Sequence, residues 1–168
     1  MKIMKTYISM RLLGLLAAVL WLVVDQATKQ VALAYLTVEP VSIIDGFFNL
    51  RLAFNRGVSF SMLGGLNAED LPEILGIFAF VVSVVIIHVM ARHKERLSYV
   101  LGLGFILGGA IGNGIDRFAH RAVVDFLDFH YAGWHWPTFN IADIAIFLGV
   151  VLMLWDAYFE SNEIEDGK

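Results

Sequence analysis

Four stretches of the chain are apolar almost without interruption: residues 8–24 (ISMRLLGLLAAVLWLVV), 72–90 (PEILGIFAFVVSVVIIHVM), 97–115 (LSYVLGLGFILGGAIGNGI) and 139–158 (FNIADIAIFLGVVLMLWDAY). Each approaches the roughly 20 residues that a helix needs to cross a bilayer, so four transmembrane helices are predicted. Between the first two runs the pattern changes period. In FFNLRLAFN, Phe48, Leu50, Leu52 and Phe54 fall on one face and Asn49, Arg51, Ala53 and Asn55 on the other, the alternation of a half-buried strand. A second short apolar run, AVVDFLDF, stands between the third and fourth runs, beside Tyr131, Trp134 and Trp136, which suit a membrane interface. The expected fold class is a mainly α membrane protein: four transmembrane helices with a small extracytoplasmic β-sheet. No internal repeat, linker or low-complexity tract divides residues 1–168, so a single domain is expected.

The third run carries Gly104, Gly108 and Gly112 at four-residue spacing, a bare stripe on which another helix can approach closely. Continued outward, the stripe reaches Asp116, with Asn113 and Arg117 as a second i, i+4 pair beside it. Polar groups therefore gather where packed helices meet the surface.

Composition supports the membrane reading. The chain is 58% hydrophobic and only 17% charged, with mean hydropathy +0.71, against about 25% charged in soluble domains. Its formal net charge of −4 with no basic block argues against a nucleic-acid partner. With no cysteine there is no disulfide, thiol nucleophile or thiolate metal site. Basic residues set the orientation. Lys2 and Lys5 precede the first run, with Arg11 near its start, and Arg92, Lys94 and Arg96 follow the second, whereas residues 26–71 hold only Lys29, Arg51 and Arg56. Both termini and the 91–96 loop are expected in the cytoplasm, and residues 26–71 and 116–138 outside. The tail NEIEDGK reads as a disordered, solvated end. A cleavable leader ending at the A-x-A site of Ala32 and Ala34 is disfavoured, because Asp25 and Lys29 intervene.

Charge inside or beside these apolar runs is the remaining anomaly. An Asp at mid-bilayer costs about 2.5–3.5 kcal/mol on insertion scales, and so marks a functional candidate. Asp125, Asp128 and Asp143 are the competitors. If VVDFLDF is a strand, Asp125 and Asp128 have opposite parity and only one can share a pocket with Asp143; if it is helical, that distinction fails. Asn140 and Asp143 lie one helical turn apart, and an Asp in a first turn is also stabilised by the helix dipole. Asp25 and Lys29 read as an i, i+4 ion pair closing the first helix. Asp128 reads as a solvated or hydrogen-bonded surface acid. Two rival readings follow from residue type. Paired acids could serve a small ion- or proton-coupled transporter, although no repeat is present. His120, His130 and His135 could ligate a metal but match no zinc motif, so they are expected at the interface and no metal is expected.

Five blocks, VVDQATK at 23–29, NRGVSFS at 55–61, GGAIGNGIDR at 108–117, VVDF at 123–126 and FNIAD at 139–143, resemble in order and spacing those of the lipoprotein signal peptidases, signal peptidase II. The resemblance implies a bacterial inner-membrane aspartic endopeptidase. Its substrates would be prolipoproteins with a diacylglyceryl group on the lipobox cysteine, and its inhibitors cyclic peptides of the globomycin type. It places the catalytic pair at Asp125 and Asp143, and active-site support at Asn55, Asn113, Arg117 and Asn140, with Asp25, Lys29 and Asp116 in more structural blocks. No cofactor is implied; membrane lipid is the expected surroundings. The chain departs from the family pattern at Arg56, Val58 and Ile144, and Ile144 bears on the packing beside Asp143. Two close carboxylates suit such a reaction, since one can take a proton from water while the other protonates the amide nitrogen. Nearby Asn and Arg donors could stabilise the developing negative charge.

Overall fold

The computed structural model describes residues 2–57, 69–92 and 96–165, with side chains from 10 to 159 within those ranges. Val58 and Lys94 lie outside the described residues. Four helices form the body: α1 (Lys2–Tyr35), α2 (Leu71–Arg92), α3 (Leu97–His120) and α4 (Ile141–Glu165). Each holds a stretch long and apolar enough to cross a membrane. In α3, 61% of that stretch is buried, against 22% in each of the others, so α3 is the centre of the bundle. The glycine stripe explains this. A Cβ on Gly104 or Gly108 would run into the backbone carbonyls of Gly14 or Ala18 on α1, and one on Gly102 or Gly109 into those of Gly149 or Ala142 on α4. Between apolar helices in lipid, close van der Waals approach of this kind drives association. Ala18, Ile86, Met90, Val100, Leu103 and Leu107 fill the core beside it.

Two elements outrun the apolar pattern. α1 continues to Tyr35, so Asp25 and Lys29 lie within the helix and do not close it. α4 continues to Glu165 and takes in the start of the tail expected to be disordered, because Glu is a good helix former and extending an existing helix is easy.

The sheet is antiparallel in the order β1 (Val41–Ile44), β2 (Phe48–Asn55), β3 (Val123–Tyr131), β4 (Trp134–His135). Ala132 and Gly133 both have positive φ, as a two-residue hairpin turn between β3 and β4 requires. β2 does not keep the two clean faces that its alternation predicts. Leu50 pairs with Leu127 and Ala53 with Asp125, so three steps on β2 match two on β3. This bulge reverses side-chain parity along β2. Asn49 faces with Asp128, whereas Asn55, beyond the bulge, faces with Asp125.

Two devices bring the sheet to the helices. Arg121 caps α3 in the left-handed conformation, φ 53°, and turns the chain back into β3. Phe139, just before α4, pairs with β3: its N–H donates to Leu127 O at 3.1 Å, and its carbonyl accepts from Phe126 and Leu127 N–H at 3.0 and 2.9 Å. The start of α4 is thereby held against the strand that carries Asp125.

Candidate active site

Asn140 follows Phe139 and is fully buried. It caps α4 reciprocally with Asp143: Asn140 Oδ1 accepts the Asp143 N–H at 3.0 Å, and Asp143 Oδ2 accepts the Asn140 N–H at 3.2 Å. This is a capping box built from Asn and Asp, which satisfies two helix-start donors at once. The Asn140 side-chain amide then donates to Asp125 Oδ1 at 2.7 Å and to Asn113 Oδ1 at 3.1 Å. Asn113, from α3, donates to Asp143 Oδ1 at 2.8 Å. Asn140 thus touches both aspartates, and Asn113 steadies the second.

The remaining expected residues gather around the same point. Asn55 hydrogen-bonds Asp125, and the Arg117 guanidinium acts electrostatically on Asp143, Asp116 and Asp125. Arg117 also donates to the Asn113 carbonyl at 3.1 Å. All six residues singled out by the resemblance are therefore neighbours. Asn140 also donates to the Val124 carbonyl at 3.3 Å, so its amide is committed to Asp125, Asn113 and β3.

Asp125 is only 2% exposed, whereas Asp143 is half-buried. Burial, and then the charge of Asp143, push the Asp125 carboxyl up to about 7, against the hydrogen bonds from Asn55 and Asn140. Below about pH 7 the Asp125 carboxyl therefore keeps its proton. With a folded value raised above the ordinary 3.8, the stability contributed by this group is complete below the unfolded value and is lost as pH rises through about 7. If the reaction needs that proton, kcat/KM falls on the alkaline side with a limb near pH 7. A pH profile that stays flat to about two units above would show that the proton is not used.

Asp128 points to the other face of β3. It is hydrogen-bonded, one of the two expected alternatives, but buried and not at the surface: it accepts from Asn49 Nδ2 at 3.3 Å, with His135 Nδ1 at 2.9 Å and Arg51 Nε at 3.8 Å. Burial favours its neutral form, but the bonds from His135 and Asn49 and the charge of Arg51 outweigh it and hold the carboxyl below its ordinary value.

Beneath the pair lies a network that the i, i+4 reading only half saw. Lys29 is 1% exposed and reaches Asp25 at 2.9 Å, Asp116 at 2.8 Å and Asn113 Oδ1 at 2.9 Å. Gln26 joins Asp25 to Asp116, at 3.2 and 3.1 Å. Asp25 Oδ1 accepts the Ala142 N–H of α4 at 2.9 Å, and Asp116 Oδ2 accepts the Val124 N–H of β3 at 3.1 Å. Gln26 lies outside the i, i+4 spacing of that pair, and its signal in the sequence is a third polar residue beside Asp25 in an apolar helix.

A cavity of about 300 Å³ opens beside Asp143, lined by Trp136, Phe139, Ile144 and Phe147. A second apolar cleft, of about 230 Å³, runs between α1 and the sheet past Val31, Leu50 and Phe126. The cavity at Arg56, Glu69, Pro72 and Arg121 holds neither aspartate.

The profile of the signal peptidase (SPase) II family matches residues 17–159. A lipoprotein signal peptidase of Azoarcus sp. strain BH72 is 46% identical over 143 residues, covering 85% of this chain and 80% of that protein. One from Ralstonia nicotianae is 42% identical over 138 residues, covering 82% and 79%. Among solved structures, a bacterial membrane enzyme determined by the in meso method at 1.9 Å superposes with TM-score 0.73 at 26% identity, over 84% of this chain and 89% of that one.

Proposed function

The chain belongs to the signal peptidase II family, and from that premise we propose that it is an aspartic endopeptidase that removes signal peptides from diacylglyceryl-modified prolipoproteins. The observation that carries the mechanism is the single buried amide of Asn140 bonded to Asp125 while its backbone caps onto Asp143. Asp125 bears the shared proton and acts as the acid toward the amide nitrogen; Asp143, facing the cavity, takes a proton from the attacking water. Developing negative charge on the carbonyl oxygen meets Arg117. Trp136, Phe139, Ile144 and Phe147 offer an apolar wall to a signal peptide or its lipid arriving sideways from the bilayer. The family match gives the transporter reading no support.

Membership of the family points to the bacterial inner membrane, and the basic residues flanking the spans favour both termini cytoplasmic and the sheet outside. Reporter fusions at Glu69 and Arg92 should then report opposite compartments; the same side for both would undo the orientation.

The decisive assay offers the purified protein a diacylglyceryl-modified lipobox peptide and its unmodified twin. Cleavage of the first alone, blocked by a globomycin-type cyclic peptide, is expected; a folded protein that cleaves neither would overturn the proposal. Arg117→Lys keeps the charge but loses the planar fork of donors. Its kcat/KM should fall by roughly tenfold or more, the equivalent of one hydrogen bond to a charged group, about 1.5–3 kcal/mol. Wild-type turnover would reduce Arg117 to an anchor of α3 at the headgroups.

A further inference from the structure

We infer that the β3–β4 hairpin carries a binding site for a divalent transition-metal ion of the zinc class, with Asp128, His130 and His135 as its ligands. Asp128 and His130 alternate along β3 and so share a face, and His135 is the cross-strand partner of His130. One potential ligand atom from each of the three lies within 4.8 Å of the others. The two imidazoles stack, centroids 4.9 Å apart and 14° from parallel. His120, the third histidine of the sequence reading, is instead exposed at the end of α3.

Two features go beyond proximity. His130 Nδ1 is buried and has no hydrogen-bond partner among the described residues. Asp128 is already held in place, its Oδ2 by Asn49 and its Oδ1 against His135 Nδ1 at 2.9 Å. Ligands on a tetrahedral ion with bonds of about 2.0–2.1 Å stand roughly 3.3 Å apart, so an ion can replace the proton in that bridge with a small opening of the pair. Two imidazoles and one carboxylate suit Zn²⁺ and, more tightly, Cu²⁺, and leave the fourth position to water. Mg²⁺ and Ca²⁺ want six or more oxygen ligands and are not matched. Arg51, 3.8 Å from Asp128, balances the carboxylate when no ion is bound; its half-exposed side chain, also bonded to Thr138, can swing away.

The site lies on the face of β3 opposite Asp125 and does not depend on the proposed reaction. It is tested by zinc titration calorimetry on the detergent-purified full chain, prepared without a polyhistidine tag. One equivalent should bind in the micromolar range or tighter and raise the thermal midpoint. His130→Gln and His135→Gln should each weaken binding by at least about tenfold, while His120→Gln should leave it unchanged. A second measurement needs no variant: the electron paramagnetic resonance spectrum of one equivalent of Cu²⁺ on the wild-type chain should show coupling to two imidazole nitrogens. No saturable zinc uptake at micromolar concentration, a Cu²⁺ spectrum without that coupling, or wild-type affinity in both hairpin variants would overturn the inference.

Discussion

Asp125→Asn and Asp143→Asn should each abolish measurable cleavage of a lipidated lipobox peptide while the protein still inserts and folds. A positioned acid or base contributes about 10²–10⁴-fold, and each substitution removes one. The double variant should be scarcely worse than either single one, because groups acting as a unit are not additive. The two singles should differ in stability. Asn at 125 keeps an oxygen for the Asn140 amide and removes a buried acid that is costly to ionise, so Asp125→Asn should match or exceed the wild type above about pH 7. Asn at 143 can keep only one of two acceptors, those for Asn113 Nδ2 and the Asn140 N–H, and should lose about 1 kcal/mol of helix capping. Asp128→Asn, on the far face, should retain substantial activity. An active Asp125→Asn beside a dead Asp128→Asn would move the chemistry to the other face of β3.

Lys29→Met should be the most damaging change away from the pair. It leaves Asp25 and Asp116 buried among packed helices without their shared cation. Removing one member of a buried ion pair costs about 3–5 kcal/mol, a fall on the order of 10 °C in thermal midpoint for a chain of this size. Asn113 Oδ1 also loses a donor, so the amide that holds Asp143 is less firmly oriented and turnover should fall in whatever protein remains folded. Adding Asp25→Asn should restore part of the stability, since removing both partners of a pair is less costly than removing one. A single variant with a wild-type midpoint would show that the network is not what holds α1, α3 and α4 together here.

Four spans and a surface sheet were legible in the chain because lipid imposes a simple requirement: about 20 apolar residues per crossing, with small residues wherever two helices touch. Gly104 and Gly108 meet α1 as their spacing predicts, and the opposite faces of Asp125 and Asp128 follow from strand period alone. The family blocks carried the names of the candidate residues. What periodicity could not carry is who faces whom across separate elements. One extra residue in β2 reverses its faces, so that Asn55 and not Asn49 joins Asp125; a bulge leaves no mark in an alternating pattern. Lys29 looked like half of a local pair, yet its other partners, Asn113 and Asp116, come from α3. Asp125 and Asp143 meet only because Phe139 pairs with β3 and delivers Asn140 between them. Local spacing determines which elements form and what they carry. The closure of long loops by backbone pairing and buried hydrogen bonds, which depends on the whole fold at once, decided that these carboxylates share one site.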